Sequence, residues 1–262
     1  MTVVLAAKAM DGVVMCADGA STLTTPLGEP IAVQAEEKIY ACGGRFIWGA
    51  SGDLGVIQRV KHKLDHSHLH DLRPKDPEAL RAKIVPVVLS VMKECRQDHL
   101  GPVAAGVRET VPCATVLFAG YLPTGPCVIM VDPDGKNSVV SGPHVAIGSG
   151  AQAAMAIMHR HRGEARSCAL TELVCYRAIT DAIEVTPMFL AEPITLGTAR
   201  KDDASISADS EVMVLVSSQL NAVRDSVEVW KQNEREALEK SLGALKNAGV
   251  AADEGEQPPA VP

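Results

Sequence analysis

What this chain has little of narrows it first. Aromatic residues make up only 3% of its 262 positions, so a core must be assembled from Ala, Val, Ile, Leu and Met. The material is there, since hydrophobic residues reach 47% in a chain long enough to bury a sizeable core. A basic excess is lacking. The formal net charge is −7, which argues against a nucleic-acid binder, because such proteins carry a basic face. No apolar run approaches the roughly 18 residues that a membrane span needs. Lys8 and Asp11 interrupt the first apolar stretch and no charged segment precedes it, unlike a secretion signal. A cytoplasmic protein is expected. CxxC pairs are missing as well. The seven cysteines, an odd number scattered through apolar segments, read as reduced core residues rather than as disulfides or a zinc site.

The hydrophobic period supplies an outline. Apolar runs at residues 2–8 and 12–17 flank Met10-Asp11-Gly12, a strong hairpin signal. Residues 21–35, with Thr, Pro and Gly, read as a loop holding one short strand. Lys38–Cys42 and Arg45–Ala50 flank Gly43-Gly44 and suggest a second hairpin. The period then becomes helical. Asp53 can cap a helix with Leu54, Ile57, Val60 and Leu64 on one face. Asp76-Pro77 opens another, carrying Leu80, Ile84, Val88, Val91 and Cys95, with Pro86 expected to kink it. Strands return over 114–122, 127–131 and 138–140, helices over 152–161 and 170–182, and a closing strand pair over 193–199 and 211–217. Blocks of strands and helices in this order argue for an α+β layered domain rather than βαβ units. Residues 1–219 are expected to form one domain. A charged amphipathic helix over 220–246 should turn Val223, Val227, Trp230, Leu238 and Leu242 inward, and the Pro-rich, acidic stretch 247–262 reads as a disordered tail.

Three polar residues stand out. Thr2 follows Met1. Removal of Met1, favoured by a small second residue, would leave an α-amine and a hydroxyl on one residue, a nucleophile with its own base. Asp18 ends the apolar run Val13–Ala17, and Lys38 opens a later one. Either charge buried alone is costly, and the two paired cost far less. A buried ammonium beside the Thr2 hydroxyl would lower the proton affinity of hydroxyl and amine.

These residues carry a resemblance. "TVVLAAKAMDGVVMCADGAST" resembles the mature N-terminus of proteasome β-type subunits and of the bacterial HslV peptidase, members of the N-terminal nucleophile hydrolases. The nucleophilic threonine falls on Thr2, the Asp-Gly-x-x-Thr motif on Asp18–Thr22, and the lysine on Lys38. "FIWGASGDLG" is similar to the strand-to-helix turn that supplies the oxyanion N–H, which places that donor at Ser51. "VAIGSGAQAAMAIM" resembles the family's Gly-Ser-Gly segment and places Ser149 near the terminal amine. "ITDAIEVTP" places Asp181 as the aspartate supporting the amine and Ser149, with Thr186 also in register; Glu184 stands where proteasome members often have serine.

The resemblance implies a four-layer αββα sandwich, here with an extra C-terminal helix. It implies threonine-type endopeptidase activity without metal or organic cofactor. It also implies homo-oligomeric stacked rings that enclose the sites, polypeptide substrates, and room for an ATPase unfoldase as partner. By position, Glu36, Tyr40, Gly49 and Asp53 would line the pocket for the residue before the cut, and two acids there would favour a basic side chain. Two other readings stay open. One is a non-catalytic ring subunit of the same fold, although such subunits carry a helix ahead of the first strand. The other is an N-terminal nucleophile enzyme acting on a non-proteolytic amide. His62 and His66, one helical turn apart, could clip a metal, but "KHKLDHSHLHD", with His68 and His70, reads as an exposed helix end.

Overall fold

The first hairpin forms where Asp-Gly places it. In the computed structural model, which describes residues 2–24, 30–35, 37–67, 73–104, 106, 111–161, 167–185, 190–201, 210–214 and 217–253, β1 (Val3–Ala9) and β2 (Gly12–Ala17) pair antiparallel. Every residue of β2 is buried, so both faces of this hairpin are covered. The period of two assigns the faces: Val3, Leu5 and Ala7 pack towards one layer and Val4 and Ala6 towards another.

The elements that follow supply those layers. Next along the chain come β3 (Ala20–Thr24), β4 (Pro30–Ala35), β5 (Ile39–Cys42) and β6 (Phe46–Gly52). Then come α1 (Leu54–Asp65), α2 (Pro77–Ala104), β7 (Ala114–Leu122), β8 (Gly125–Val131) and β9 (Asn137–Val139). The last group is β10 (His144–Gly148), α3 (Ala151–Arg160), α4 (Cys168–Val185), β11 (Thr195–Lys201), β12 (Ser210–Val214) and α5 (Ser217–Asp253). One antiparallel sheet has the order β10-β1-β2-β11-β12, the other β5-β6-β7-β8-β9. Val4, Ala6 and Met15 of the first meet Ile39, Ile47, Leu117 and Val128 of the second. Behind the second sheet, Val60, Leu64, Leu80, Ile84 and Val88 of α1 and α2 bury Trp48 and Phe118. Behind the first, Ala154 and Met158 of α3 and Val174, Ala178 and Ile179 of α4 cover Val3 and Leu5. The result is the expected α+β sandwich of four layers, with α5 laid on α4.

Three expectations are corrected. Residues 21–35 do not form a loop with one strand, because β3 and β4 pair into a two-stranded sheet of their own. Pro30 sits at the first position of β4, where a missing N–H costs the ladder least. The C-terminal helix begins earlier and runs on to Asp253, so the expected boundary at 246 falls inside it; residues 254–262 lie outside the described residues. Finally, Val227 is fully buried and Val223 and Trp230 pack beside it, but Leu238 is 61% and Leu242 48% exposed. Thirty-seven residues of helix span about 55 Å, twice the length of the 18-residue α4 beneath. Periodicity marks the apolar face without saying how far a neighbour covers it.

Candidate active site

Thr2 stands just before β1, half-buried, at the end of the first sheet. Its backbone N–H donates to Ser149 Oγ at 3.2 Å, and the Ser149 hydroxyl donates to the Thr2 carbonyl at 3.4 Å. Gly150 N–H donates to the same carbonyl at 3.3 Å. Ser149 can reach Thr2 because β1 pairs with β10, Val3 opposite Gly148. Gly148 has φ +92°, and a Cβ on it would lie 2.1 Å from the Thr2 carbonyl oxygen and 2.8 Å from Ser51 Oγ. Only glycine tolerates that backbone and that approach together. Its position brings Thr2, Ser51 and the Ser149 turn into one place. The sequence signal for it was the Gly-Ser-Gly run, although the closeness to Ser51 is a product of the sandwich.

Asp18 is fully buried and Lys38 is 7% exposed. The Lys38 ammonium donates to Asp18 Oδ1 at 2.9 Å and also to the Ala20 carbonyl. Asp18 further accepts from Val3 N–H at 2.8 Å and Ala20 N–H at 3.0 Å. Both charges are therefore hydrogen-bonded as well as paired, the condition for a buried ion pair to be tolerated. Val3 is the residue after Thr2, so the pair is tied directly to the start of β1. The β3–β4 hairpin takes up the long stretch between Asp18 and Lys38 and returns the lysine to the cleft.

The turn after β6 also forms. Asp53 caps α1, its Oδ1 accepting from Gly55 N–H at 2.9 Å and Val56 N–H at 3.3 Å. Its carboxylate offsets much of the positive potential that a bare helix N-terminus would project towards Ser51.

Asp181 is not where the resemblance puts it. Its Oδ1 pairs with Lys231 Nζ of α5 at 2.8 Å and its Oδ2 with Arg177 Nε at 3.5 Å. Lys231 also binds Glu184 at 2.7 Å, Arg177 binds Glu234 at 2.6 Å, and the Arg177 guanidinium lies over the Trp230 ring at 4.4 Å. Asp181 faces α5 rather than the Thr2 amide, its ion-pair partners among the described residues being Arg177 of α4 and Lys231 of α5. The cause is α5 itself, whose buried Lys231 needs a counter-charge. Thr186 and Glu36 lie outside the described residues.

A small cleft opens beside Thr2. Among the described residues Tyr40, Ala50, Leu54 and Ile57 line it, together with Thr2, Glu37, Lys38 and Gly52. Of the expected pocket residues that are described, Tyr40 is among them and Gly49 and Asp53 are not. Asp53 is occupied by its cap. Gly49 points between the sheets, where a Cβ would meet Val4 Cγ1 at 2.8 Å and the Lys38 carbonyl oxygen at 2.9 Å. Sequence reasoning missed Ala50, Leu54 and Ile57, because the helical pattern assigns Leu54 and Ile57 to a core face without showing that its first turn edges a cleft.

Five of the buried cysteines are held away from thiol chemistry. Burial pushes the Cys42 and Cys127 thiols up to about 11 and Cys168 to about 12, and raises Cys16 and Cys175 strongly. His66 Nδ1 lies 2.8 Å from the His62 carbonyl, which uses one ring nitrogen of the suggested clip. Among the described residues no three His, Cys, Asp or Glu side chains converge on a metal position, and none of the described helices is long and apolar enough to cross a membrane.

The comparisons with known proteins bear on this geometry. The family model for proteasome subunits matches residues 2–188. The chain belongs to the proteasome subunit family. Its sandwich is therefore the N-terminal nucleophile hydrolase fold. Among solved structures, the proteasome-family chain is similar to a Gly-1 mutant of Anbu from Hyphomicrobium sp. strain MC1, with 18% identity, a TM-score of 0.63, and coverage of 92% of this chain and 97% of that one. It is also similar to the Anbu complex of Pseudomonas aeruginosa, solved as a helical assembly, with 15% identity, a TM-score of 0.68, and coverage of 91% and 96%. At such identities the likeness establishes the fold. A comparison with curated proteins finds no match.

Proposed function

We propose that this proteasome-family chain is a threonine-type endopeptidase that uses Thr2 once Met1 has been removed. The observation that carries the reading is the buried Asp18–Lys38 pair anchored to the residue after Thr2, with Ser149 against the Thr2 nitrogen. A buried lysine is costly for stability alone and is useful beside a hydroxyl that must lose its proton.

The proposed chemistry is acyl transfer. The Thr2 hydroxyl gives its proton to the α-amine, which Ser149 orients, and Oγ attacks a peptide carbonyl. The Ser51 N–H holds the developing oxyanion. The amine returns the proton to the leaving nitrogen, an ester remains on Thr2, and water hydrolyses it by the reverse transfer. Lys38 keeps the proton affinities of hydroxyl and amine low, and Asp18 holds Lys38. Asp181 has no part in this scheme; its place is in the α4–α5 anchor.

Several copies of the chain are proposed to assemble into a closed or helical ring in the cytoplasm, enclosing the sites. The helical assembly of the Pseudomonas aeruginosa Anbu complex supports self-association. Polypeptides are the proposed substrates. The test is the hydrolysis of unfolded casein by the wild-type chain and by Thr2→Ala, with light scattering on both. Loss of hydrolysis in Thr2→Ala at unchanged assembly is expected. Equal hydrolysis by the two, or a stable monomer, contradicts the reading and favours, respectively, another catalytic group or a different role.

A further inference from the structure

We infer that the cleft beside Thr2 selects small apolar side chains, and that Tyr40 sets the limit. This rests on the peptidase reading and adds its substrate class. The free volume of the cleft is about 20 Å³, room for little more than one water. Ala50, Leu54, Ile57 and the Tyr40 ring supply its apolar walls.

The Tyr40 ring is held rather than swung aside. It packs on Trp48 with centroids 4.6 Å apart, the Trp48 side chain being fully buried. Its hydroxyl donates to the Glu37 carbonyl. The Lys61 ammonium stands 5.7 Å from its centroid, within cation–π range. A larger substrate side chain must displace a ring fixed from three sides.

The electrostatics point the same way and against a basic residue. Asp53 Oδ1 is engaged by two α1 amides, and Glu37, the carboxylate of the described lining, is exposed. Lys38 adds a cation to that lining, though Asp18 neutralises it. Among the described residues, a guanidinium drawn into this cleft would lose water without gaining a buried partner, a penalised exchange. A methyl group fits and has no charge to desolvate.

The test compares kcat/KM for fluorogenic peptides of one sequence ending in Ala, Leu, Phe or Arg, on the wild-type chain, Tyr40→Ala, Ile57→Ala and Tyr40→Phe. The wild-type chain is expected to prefer Ala over Phe and Arg by about tenfold or more, the scale at which a pocket distinguishes a few methylenes. Tyr40→Ala raises the Leu:Ala ratio about tenfold, Ile57→Ala raises it in the same direction from another wall, and Tyr40→Phe, which keeps the ring, leaves it near wild type. An Arg or Phe preference in the wild-type chain overturns the inference. So does an unmoved ratio in Tyr40→Ala and Ile57→Ala that unfold at wild-type temperature; if Tyr40→Ala fails to fold, Ile57→Ala decides alone. Failure of the wild-type chain to cleave any of the four overturns the peptidase reading itself, a different result from cleavage with the wrong preference.

Discussion

Removal of one member of the Asp18–Lys38 pair should be far more damaging than removal of both. Asp18→Asn leaves the Lys38 ammonium, 7% exposed, without its counter-charge and removes one acceptor oxygen from the Val3 and Ala20 amides. Breaking a buried pair in this way costs about 3–5 kcal/mol. Lys38→Met leaves the carboxylate, fully buried, and costs about the same. Against a total stability of roughly 5–15 kcal/mol, either single variant is severely weakened. The double variant Asp18→Asn/Lys38→Met buries no charge, and the asparagine oxygen still accepts an amide. It should cost far less than either single change, a coupling of at least about 3 kcal/mol. Urea unfolding of the four proteins followed by far-UV circular dichroism, at one protein concentration because assembly is linked to folding, measures this. Additive singles, with coupling below about 0.5 kcal/mol, would refute the reasoning that these charges meet in a dry site. The folded double variant should lack peptidase activity even though its stability is recovered.

Other expectations follow from single contacts. Gly148→Ala places a methyl 2.1 Å from the Thr2 carbonyl oxygen at a φ of +92°; overpacking and backbone strain together cost about 3 kcal/mol, read as a lower unfolding midpoint with hydrolysis lost. Burial, and then the charge of His159, lower the pKa of His144. The unfolded chain then takes up the proton first as the pH falls, so stability drops below about pH 6.5, the ordinary histidine value, and a His144→Gln variant should show a flatter melting profile between pH 7 and 5. Cys113 is the exposed cysteine and the other six are buried. Iodoacetamide should therefore add one group to the native chain and seven after denaturation, counted by mass, and labelling of a second cysteine in the native chain would contradict the described core.

Much of the fold could be read in the sequence because it rests on local rules. Asp-Gly and Gly-Gly between apolar runs placed two hairpins, and Asp53 and Asp76 marked two helix starts. The β3–β4 pair was missed because its Thr, Gly and Pro content is that of a loop, and pairing is decided by what lies across the strand. At the site, Asp18 and Lys38 were legible as charges set against apolar runs, and Ser51 and Ser149 only through the resemblance; the structure brings all four near Thr2. Asp181 was misread because its place depends on α5, a helix outside the region that carries the resemblance. The inward role assigned to Leu238 and Leu242 erred for a related reason: their face is apolar, but α4 ends before it reaches them. The pocket was misjudged because Asp53 has one carboxylate for two uses, and its own helix takes it.

The central claim is that the Thr2 hydroxyl and a free Thr2 amine act together. Intact mass spectrometry with peptide mapping, before and after a peptide epoxyketone ending in alanine, measures both at once, since that warhead closes a ring only on a hydroxyl and amine of the same residue. The account predicts a chain lacking Met1 that gains one adduct, located on Thr2. A retained Met1, or an adduct on any other residue, would contradict it.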